Sequence, residues 1–244
     1  YRANNNSVPT NHRRYFINTI NYISGDGLRI PLRDRVLRDN TAMQTGRPYS
    51  AAALQRTYNN FARLSAVRYT NIRFSELPDT TLLDCSAQIS MNKPNQISLR
   101  PEGTNTAGDL GAAVSLTYEN RNIFHGSETF SLQGRAAFEA ITGLEGYQNQ
   151  DYEEYNVEAR LLFPRFLAPF LSQSFRRNIN AKSELSLSYN LQNRPEFHRR
   201  VFTSTWRYHW GEPHHHTSYR LDLLDLNYVY MPWISAKFKE DYLD

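Results

Sequence analysis

The sequence predicts two unlike parts: a small two-layer α+β domain over residues 14–93, then an antiparallel membrane-spanning β-sheet over residues 94–244. Three observations predict it. Up to Met91, apolar residues fall on one face of short strands and on one stripe of a helix, the pattern of a packed core. From residue 95 onward helical periodicity stops, and segments alternate between polar and apolar with period 2. Those segments run to about ten residues with aromatics near their ends, which suits a transmembrane β-strand.

Residues 1–13, rich in Asn, Arg and Pro, read as a linker or irregular lead-in. Tyr15 to Ile23 is a strand, ended by the turn signal Gly25-Asp26-Gly27. Pro31 to Asn40 holds a short helix with Val36 and Leu37 facing inward. Ser50 is the N-cap of a helix over about 51–65, where Leu54, Tyr58, Phe61 and Leu64 recur at helical spacing. Two strands follow, joined by the turn Leu77-Pro78-Asp79. Thr70, Ile72 and Phe74 share one face of the first; Leu83, Cys85, Ala87, Ile89 and Met91 share one face of the second. Cys85 therefore reads as a buried packing residue rather than a reactive thiol.

Beyond Pro94 the predicted strands are 95–104, 110–119, 127–139, 152–163, 182–193, 197–210 and 217–226. The alternation is plainest from Glu128 to Glu139. There Phe130, Leu132, Gly134, Ala136 and Phe138 share one parity, and Ser131, Gln133, Arg135, Ala137 and Glu139 share the other. Connections of differing length suggest turns at one end of the sheet and longer loops at the other. Arg135, Glu139, Glu158, Arg160, Glu184 and Arg207 fall on the polar parity and would line a lumen as a mixed-charge network. Trp206, Tyr208 and Trp210 fall on the apolar parity and would form an interfacial belt.

Composition bounds the function. Mean hydropathy is −0.65, and no segment approaches the roughly 18 apolar residues of a transmembrane helix. Barrel strands, which carry only half their residues on the apolar face, are not excluded by this. The net charge of +4 comes without a concentrated basic stripe, so no nucleic-acid partner is expected. The single cysteine excludes an internal disulfide and a multi-cysteine metal site. His214-His215-His216 cannot all reach one ion from an extended strand and reads as a polar turn. Gly25-Asp26-Gly27 lacks the further acidic ligands of a calcium loop. No phosphate-loop, dinucleotide, zincin or nucleophile-elbow motif occurs. Accordingly no catalytic residue, metal or cofactor is expected, and the chain does not read as an enzyme. A start without Met or signal peptide at Tyr1, and a charged end at Lys239–Asp244, read as those of a piece of a longer protein.

Some of these stretches resemble a known family. Thr45-Gly46-Arg47-Pro48-Tyr49-Ser50, with the helix through Leu54 to Leu64 and the strand Val67–Phe74, looks like a POTRA domain. Gly103-Thr104-Asn105-Thr106-Ala107-Gly108-Asp109-Leu110-Gly111, then Glu119 through Asn122, Phe124 and Gly126 to Glu128, resembles the first hairpins of a BamA/TamA-type barrel. Within that family the look is of Bacteroidetes-type TamA-like lipoproteins of the translocation and assembly module. The resemblance covers residues 40–140 by motif and the remainder by pattern. Family members also carry a loop with an Arg-Gly core and a barrel-closing last strand, and this sequence has neither. It would then hold the N-terminal portion of the barrel, about seven strands.

The resemblance implies an outer-membrane protein assembly, insertion or translocation factor, with its N-terminal domain in the periplasm of a Gram-negative cell. The implied partners are outer-membrane lipid, unfolded outer-membrane protein clients, and periplasm-spanning or lipoprotein subunits. The first barrel strand, Gln96, Ile97, Ser98, Leu99, Arg100, Pro101, Glu102, Gly103 and Thr104, would be the edge that pairs with client strands. Pro101 and Gly103 would weaken its own pairing. Alternatively, Pro101 merely ends the linker. Gly46, Tyr49, Leu54, Leu64, Asn122, Phe124 and Gly126 would be structural motif positions. Two rival classes remain: a passive outer-membrane channel, which needs no α+β domain, and a soluble β-rich binding module, which would bury the apolar parity under a second sheet.

Overall fold

The computed structural model describes residues 14–106, 109–140, 151–168, 181–212 and 217–242. It divides into two compact units, Tyr1–Met91 and Asn92–Asp244.

The first unit runs β1 (Phe16–Ser24), α1 (Asp34–Asn40), α2 (Ala51–Ala62), β2 (Val67–Glu76) and β3 (Leu82–Met91). Its sheet has the order β1-β3-β2, with β1 parallel and β2 antiparallel to β3. A parallel pair needs a crossover connection, and the two helices supply it. The Ser50 hydroxyl caps α2 by accepting the Ala53 N–H at 3.4 Å, as the sequence predicts. Leu37, Phe61, Leu64, Val67 and Ile89 form one buried cluster; Met43, Ala53, Ile72, Cys85 and Ala87 form another. The inward face of β3 is the one expected, with Leu83, Cys85, Ala87 and Ile89 buried.

The helix differs in one respect. Its deepest positions are Ala53, Thr57 and Phe61, while Leu54 and Tyr58 are half-buried. Thr57 is fully buried because its hydroxyl is satisfied twice: it donates to the Ala53 carbonyl at 2.9 Å and accepts the Ala42 N–H at 3.0 Å. A buried polar residue with both roles filled can sit in an apolar stripe.

The turns follow their residues. In Gly25-Asp26-Gly27 the Asp26 carboxylate accepts the Leu28 N–H at 3.0 Å and the Ser24 hydroxyl, and Gly27 has φ +76°. At Leu77-Pro78-Asp79, Asp79 has φ +57°, and the Leu77 N–H donates to the Leu82 carbonyl.

The second unit is a seven-stranded antiparallel meander: β4 (Asn95–Thr106), β5 (Asp109–Asn120), β6 (Thr129–Glu139), β7 (Tyr152–Phe163), β8 (Lys182–Asn193), β9 (Phe197–Glu212) and β10 (Thr217–Ile234). Each strand pairs with its sequence neighbours, so β4 and β10 are the two edges. No closure between them occurs among the described residues. A short helix, α3 (Ala236–Tyr242), follows β10.

Three expectations change here. First, the connections do not sort into turns at one end and loops at the other. Residues 107–108, 140–151 and 194–196 link strands at one end; 121–128, 164–181 and 213–216 link them at the opposite end. Both ends mix short and long, because the alternating direction of consecutive strands and not connection length sets the end. Second, β10 runs to Ile234 rather than 226. Its register shifts between Asp222 and Leu224 and again between Tyr230 and Trp233. The extra residue at Leu223 breaks the simple alternation, and Pro232 reads as a terminator. An edge strand accommodates both. Third, α3 was not expected. Phe238 on α3 meets Phe197 edge-on at 5.9 Å, and the Ser235 N–H donates to the Glu196 carbonyl at 2.9 Å. The His214–His216 turn lies outside the described residues.

Candidate functional site

The functional candidate is the sheet itself: its two faces and its two edges. Register fixes which side chains share a face. Across the sheet, Leu99, Leu116, Gly134, Val157, Tyr189, Phe202 and Tyr228 lie side by side. The row beside it contains Ile97, Tyr118, Leu132, Ala159, Leu187, Ser204 and Leu226. This apolar face is the exposed one. Leu99 is 67% exposed, Leu116 54%, Val157 52% and Tyr228 62%. A contiguous apolar band across seven strands far exceeds the scattered exposed apolar residues of an ordinary soluble surface.

The opposite face is polar and the more shielded. Ser115, Thr205 and Gln192 are buried. Among the described residues its charges include two networks. In one, Arg135 lies 3.6 Å from Glu102 and 3.3 Å from Glu154, and Glu154 also accepts from Tyr152 and Asn190. In the other, Arg160 lies 2.5 Å from Glu158 and 3.6 Å from Glu184, which also faces Arg207 and His209. Arg207 and Arg220 both hold Asp222. Arg135, Glu158, Arg160, Glu184 and Arg207 thus join networks as their parity suggests. Glu102 was named in the sequence only as part of the candidate edge, and Glu154, His209, Arg220 and Asp222 were not singled out. Glu154 was findable from its parity in β7; Asp222 was hidden by the bulge beside it.

The expected belt is altered. Trp210 stacks on Tyr219 at 5.3 Å. Tyr208 is buried instead of lining a surface, because the chain after β7 folds over it. Phe166 meets its ring edge-on at 4.7 Å, and its hydroxyl donates to the Leu167 carbonyl at 2.9 Å. The fully buried Ser183 hydroxyl pins the same stretch, donating to the Arg165 carbonyl and accepting the Leu167 N–H.

At the β4 edge, Gln96 to Thr104 all lie within one strand paired to β5 without a register shift. Pro101 is therefore mid-strand, opposite Val114, and does not end a linker. An unbroken ladder through a proline requires its nitrogen to face the free side, where no ladder donor is lost. Ile97 is 72% exposed, and 96–101 and Gly103 are exposed while Glu102 and Thr104 are half-buried.

The motif positions fall into two groups. Gly46 has φ +74°, and its N–H donates to the Ile17 carbonyl; Tyr49 donates to the Tyr15 carbonyl and rests its ring edge-on against Phe74. The stretch thereby occupies the start of β1, which leaves β2 as the longer open edge of that sheet among the described residues. One β2 amide, Ile72 N–H, is taken by the Tyr58 hydroxyl. Leu54 and Leu64 pack into the two core clusters. In the second unit, Asn122 accepts the Ser127 N–H at 3.0 Å, Gly126 is buried, and Phe124 is exposed. The keystone of this turn is Glu128, which ends the motif in the sequence but was not among its named structural positions. It is 3% exposed, and its carboxylate accepts the Gly126 N–H at 2.8 Å.

No family model matches the chain, and no curated protein matches it. Among solved structures it is similar to BamA from Haemophilus ducreyi lacking POTRA domains 1-3, with TM-score 0.43 and 11% identity over 82% of this chain and 45% of that one. It is also similar to CdiB from Acinetobacter baumannii, with TM-score 0.40 and 13% identity over 88% of this chain and 40% of that one. CdiB from Escherichia coli gives TM-score 0.36 and 10% identity over 89% and 40%. The chain spans less than half the length of each. Likeness of this degree carries no inference about activity.

Proposed function

We propose that the second unit is part of the wall of a bacterial outer-membrane β-barrel in a protein assembly or translocation factor. One observation carries the membrane reading: the apolar face of β4–β10 is exposed, while the polar face holds the charge networks. Lipid offers no hydrogen-bond partners, so a sheet in it hides its polar groups within ladders and turns apolar side chains outward. A soluble sandwich would cover that face with a second sheet; among the described residues of the unit, the stretch 165–167 covers it only locally, over Tyr208 and Ser183.

The assembly role rests on the resemblance together with the β4 edge. In this reading β4 offers its free side to client strands, by the strand addition that exposed edges permit. Pro101, whose nitrogen faces that free side, and Gly103 keep the pairing made there weak enough to exchange. The first unit stands in the periplasm as a POTRA-like domain, and its β2 edge receives clients or partner subunits. A passive channel has no use for such a unit.

Two measurements test this on the parent protein in native membranes. Detergent-dependent extraction with a mobility shift between boiled and unboiled samples is expected for a closed barrel; recovery in the aqueous fraction would sink the membrane reading. Cysteines placed singly along 96–104 are expected to cross-link to a client strand, and absence of adducts above background would remove the templating role.

A further inference from the structure

One cation on the apolar face is unlike the others. Arg135, Arg160, Arg207 and Arg220 lie on the polar face against carboxylates. Arg200 lies on the opposite face, on the parity of Phe202 and Trp206, between Leu191 on β8 and Tyr230 on β10. Its Nη1 donates to the Asn193 side-chain oxygen at 2.9 Å and to the carbonyls of Arg199 at 3.2 Å and Gln192 at 3.5 Å. All three acceptors are neutral. No carboxylate pairs with Arg200 among the described residues, and its Nε and Nη2 have no partner there. The acid on its face toward the same end of the sheet, Glu153, is on β7 in the row of Asn193, His198 and Trp233.

Its position along the strand gives this meaning. Arg200 follows the apolar band toward the 194–196 turn, one outward position beyond Phe202. Aromatics surround it. Tyr228 is 62% and Tyr230 54% exposed, and the His198 ring lies 4.8 Å from that of Trp233. Tyr and Trp with a basic side chain at the end of a lipid-facing band mark the headgroup level of a bilayer. A guanidinium held from one side by neutral acceptors offers the rest of its fork to a phosphate.

Taking the membrane reading as given, we infer that Arg200, with Asn193 orienting it and Tyr230, His198 and Trp233 flanking it, binds the phosphate of an anionic phospholipid headgroup. The acyl chains of that lipid lie along Phe202 and Tyr228.

The test is native mass spectrometry of the full-length protein, purified in micelles carrying equal amounts of phosphatidylglycerol and phosphatidylcholine. Wild type is expected to retain the anionic lipid preferentially. Arg200→Gln should lower that retention roughly fivefold, the effect of about one interfacial charge, without changing phosphatidylcholine. Asn193→Asp, which places a carboxylate against Nη1 while keeping Arg200 in place, should do the same and serves if the glutamine variant fails to assemble. Arg160→Gln removes an equal charge from the polar face and should change nothing. Equal retention of both lipids by wild type, or unchanged retention in both variants, would overturn the site while leaving the barrel intact. A wild-type protein that needs no detergent would overturn the membrane reading, and this site with it.

Discussion

Cys85 shows how one buried side chain turns into a measurable pH dependence. It is 0% exposed in the first unit, and burial pushes its thiol up to about 11. The neutral thiol is tolerated in the core and the thiolate is not, so the unfolded chain releases this proton first as pH rises. The contribution to stability is whole below the ordinary thiol value near 8.5–9 and is lost as pH climbs through about 11. It amounts to about 2–3 kcal/mol. Denaturant titrations of the parent protein should show this fall in the first unit, and Cys85→Ala, apart from its cavity cost, should flatten it. Asp84 acts in the opposite pH range. Hydrogen bonds from Thr19 at 2.7 Å and Asn18 at 2.8 Å hold its carboxyl below the usual range. Its contribution is present above that range and disappears as the group protonates on acidification. Gly126 tests the turn. A Cβ there would lie 2.2 Å from the Glu128 carboxylate, which is buried and already holds the Gly126 N–H. Gly126→Ala should therefore cost about 1–3 kcal/mol and reduce the heat-modifiable fraction. Glu128→Gln, which keeps an acceptor, should cost less.

At the scale of the element, β10 gives the sharpest test. The bulge at Leu223 lets Leu221, Leu224, Leu226 and Tyr228 all face the apolar side, paired with Tyr208, Trp206, Ser204 and Phe202. Deleting one leucine of Leu223-Leu224 leaves a strand that alternates without interruption, so assembly should be preserved. Deleting Asn227 moves Tyr228 and Tyr230 to the polar face and should abolish the mobility shift. The same strand shows which parts of the fold were legible. Strands β5 to β8 could be read from sequence because a period of 2 is a local signal, repeated over whole elements and rarely interrupted. The far half of β10 was not, because bulges and an edge proline break that signal while the ladder continues. The burial of Thr57 in α2 and of Glu128 in the β5–β6 turn escaped for another reason. Each is buried because of particular hydrogen bonds, and those depend on where the backbone has come to lie. The candidate edge at 96–104 could be placed by pattern and resemblance, yet only the register decided between Pro101 inside the strand and Pro101 ending the linker. Arg200 gave no signal beyond being a charge on the wrong parity.

For the whole molecule, the question is which solvent the apolar face meets, and neighbouring residues on one strand can answer it. Leu187 on β8 faces outward between Ala159 and Ser204, and is 40% exposed. Ser188 faces the polar side, between Glu158 and Thr203. Replacing each with arginine makes the same chemical change one residue apart. In lipid, Leu187→Arg places a charge among acyl chains and should cost about 2–4 kcal/mol near the midplane. Ser188→Arg meets Glu158 and should be tolerated. The expected outcome is loss of the heat-modifiable form for Leu187→Arg and its retention for Ser188→Arg. Were the face bathed in water, a charge there would break up an exposed apolar patch, and Leu187→Arg should raise solubility with little effect on stability. The two solvents predict opposite signs for one substitution, so the comparison decides the membrane reading independently of any client or partner.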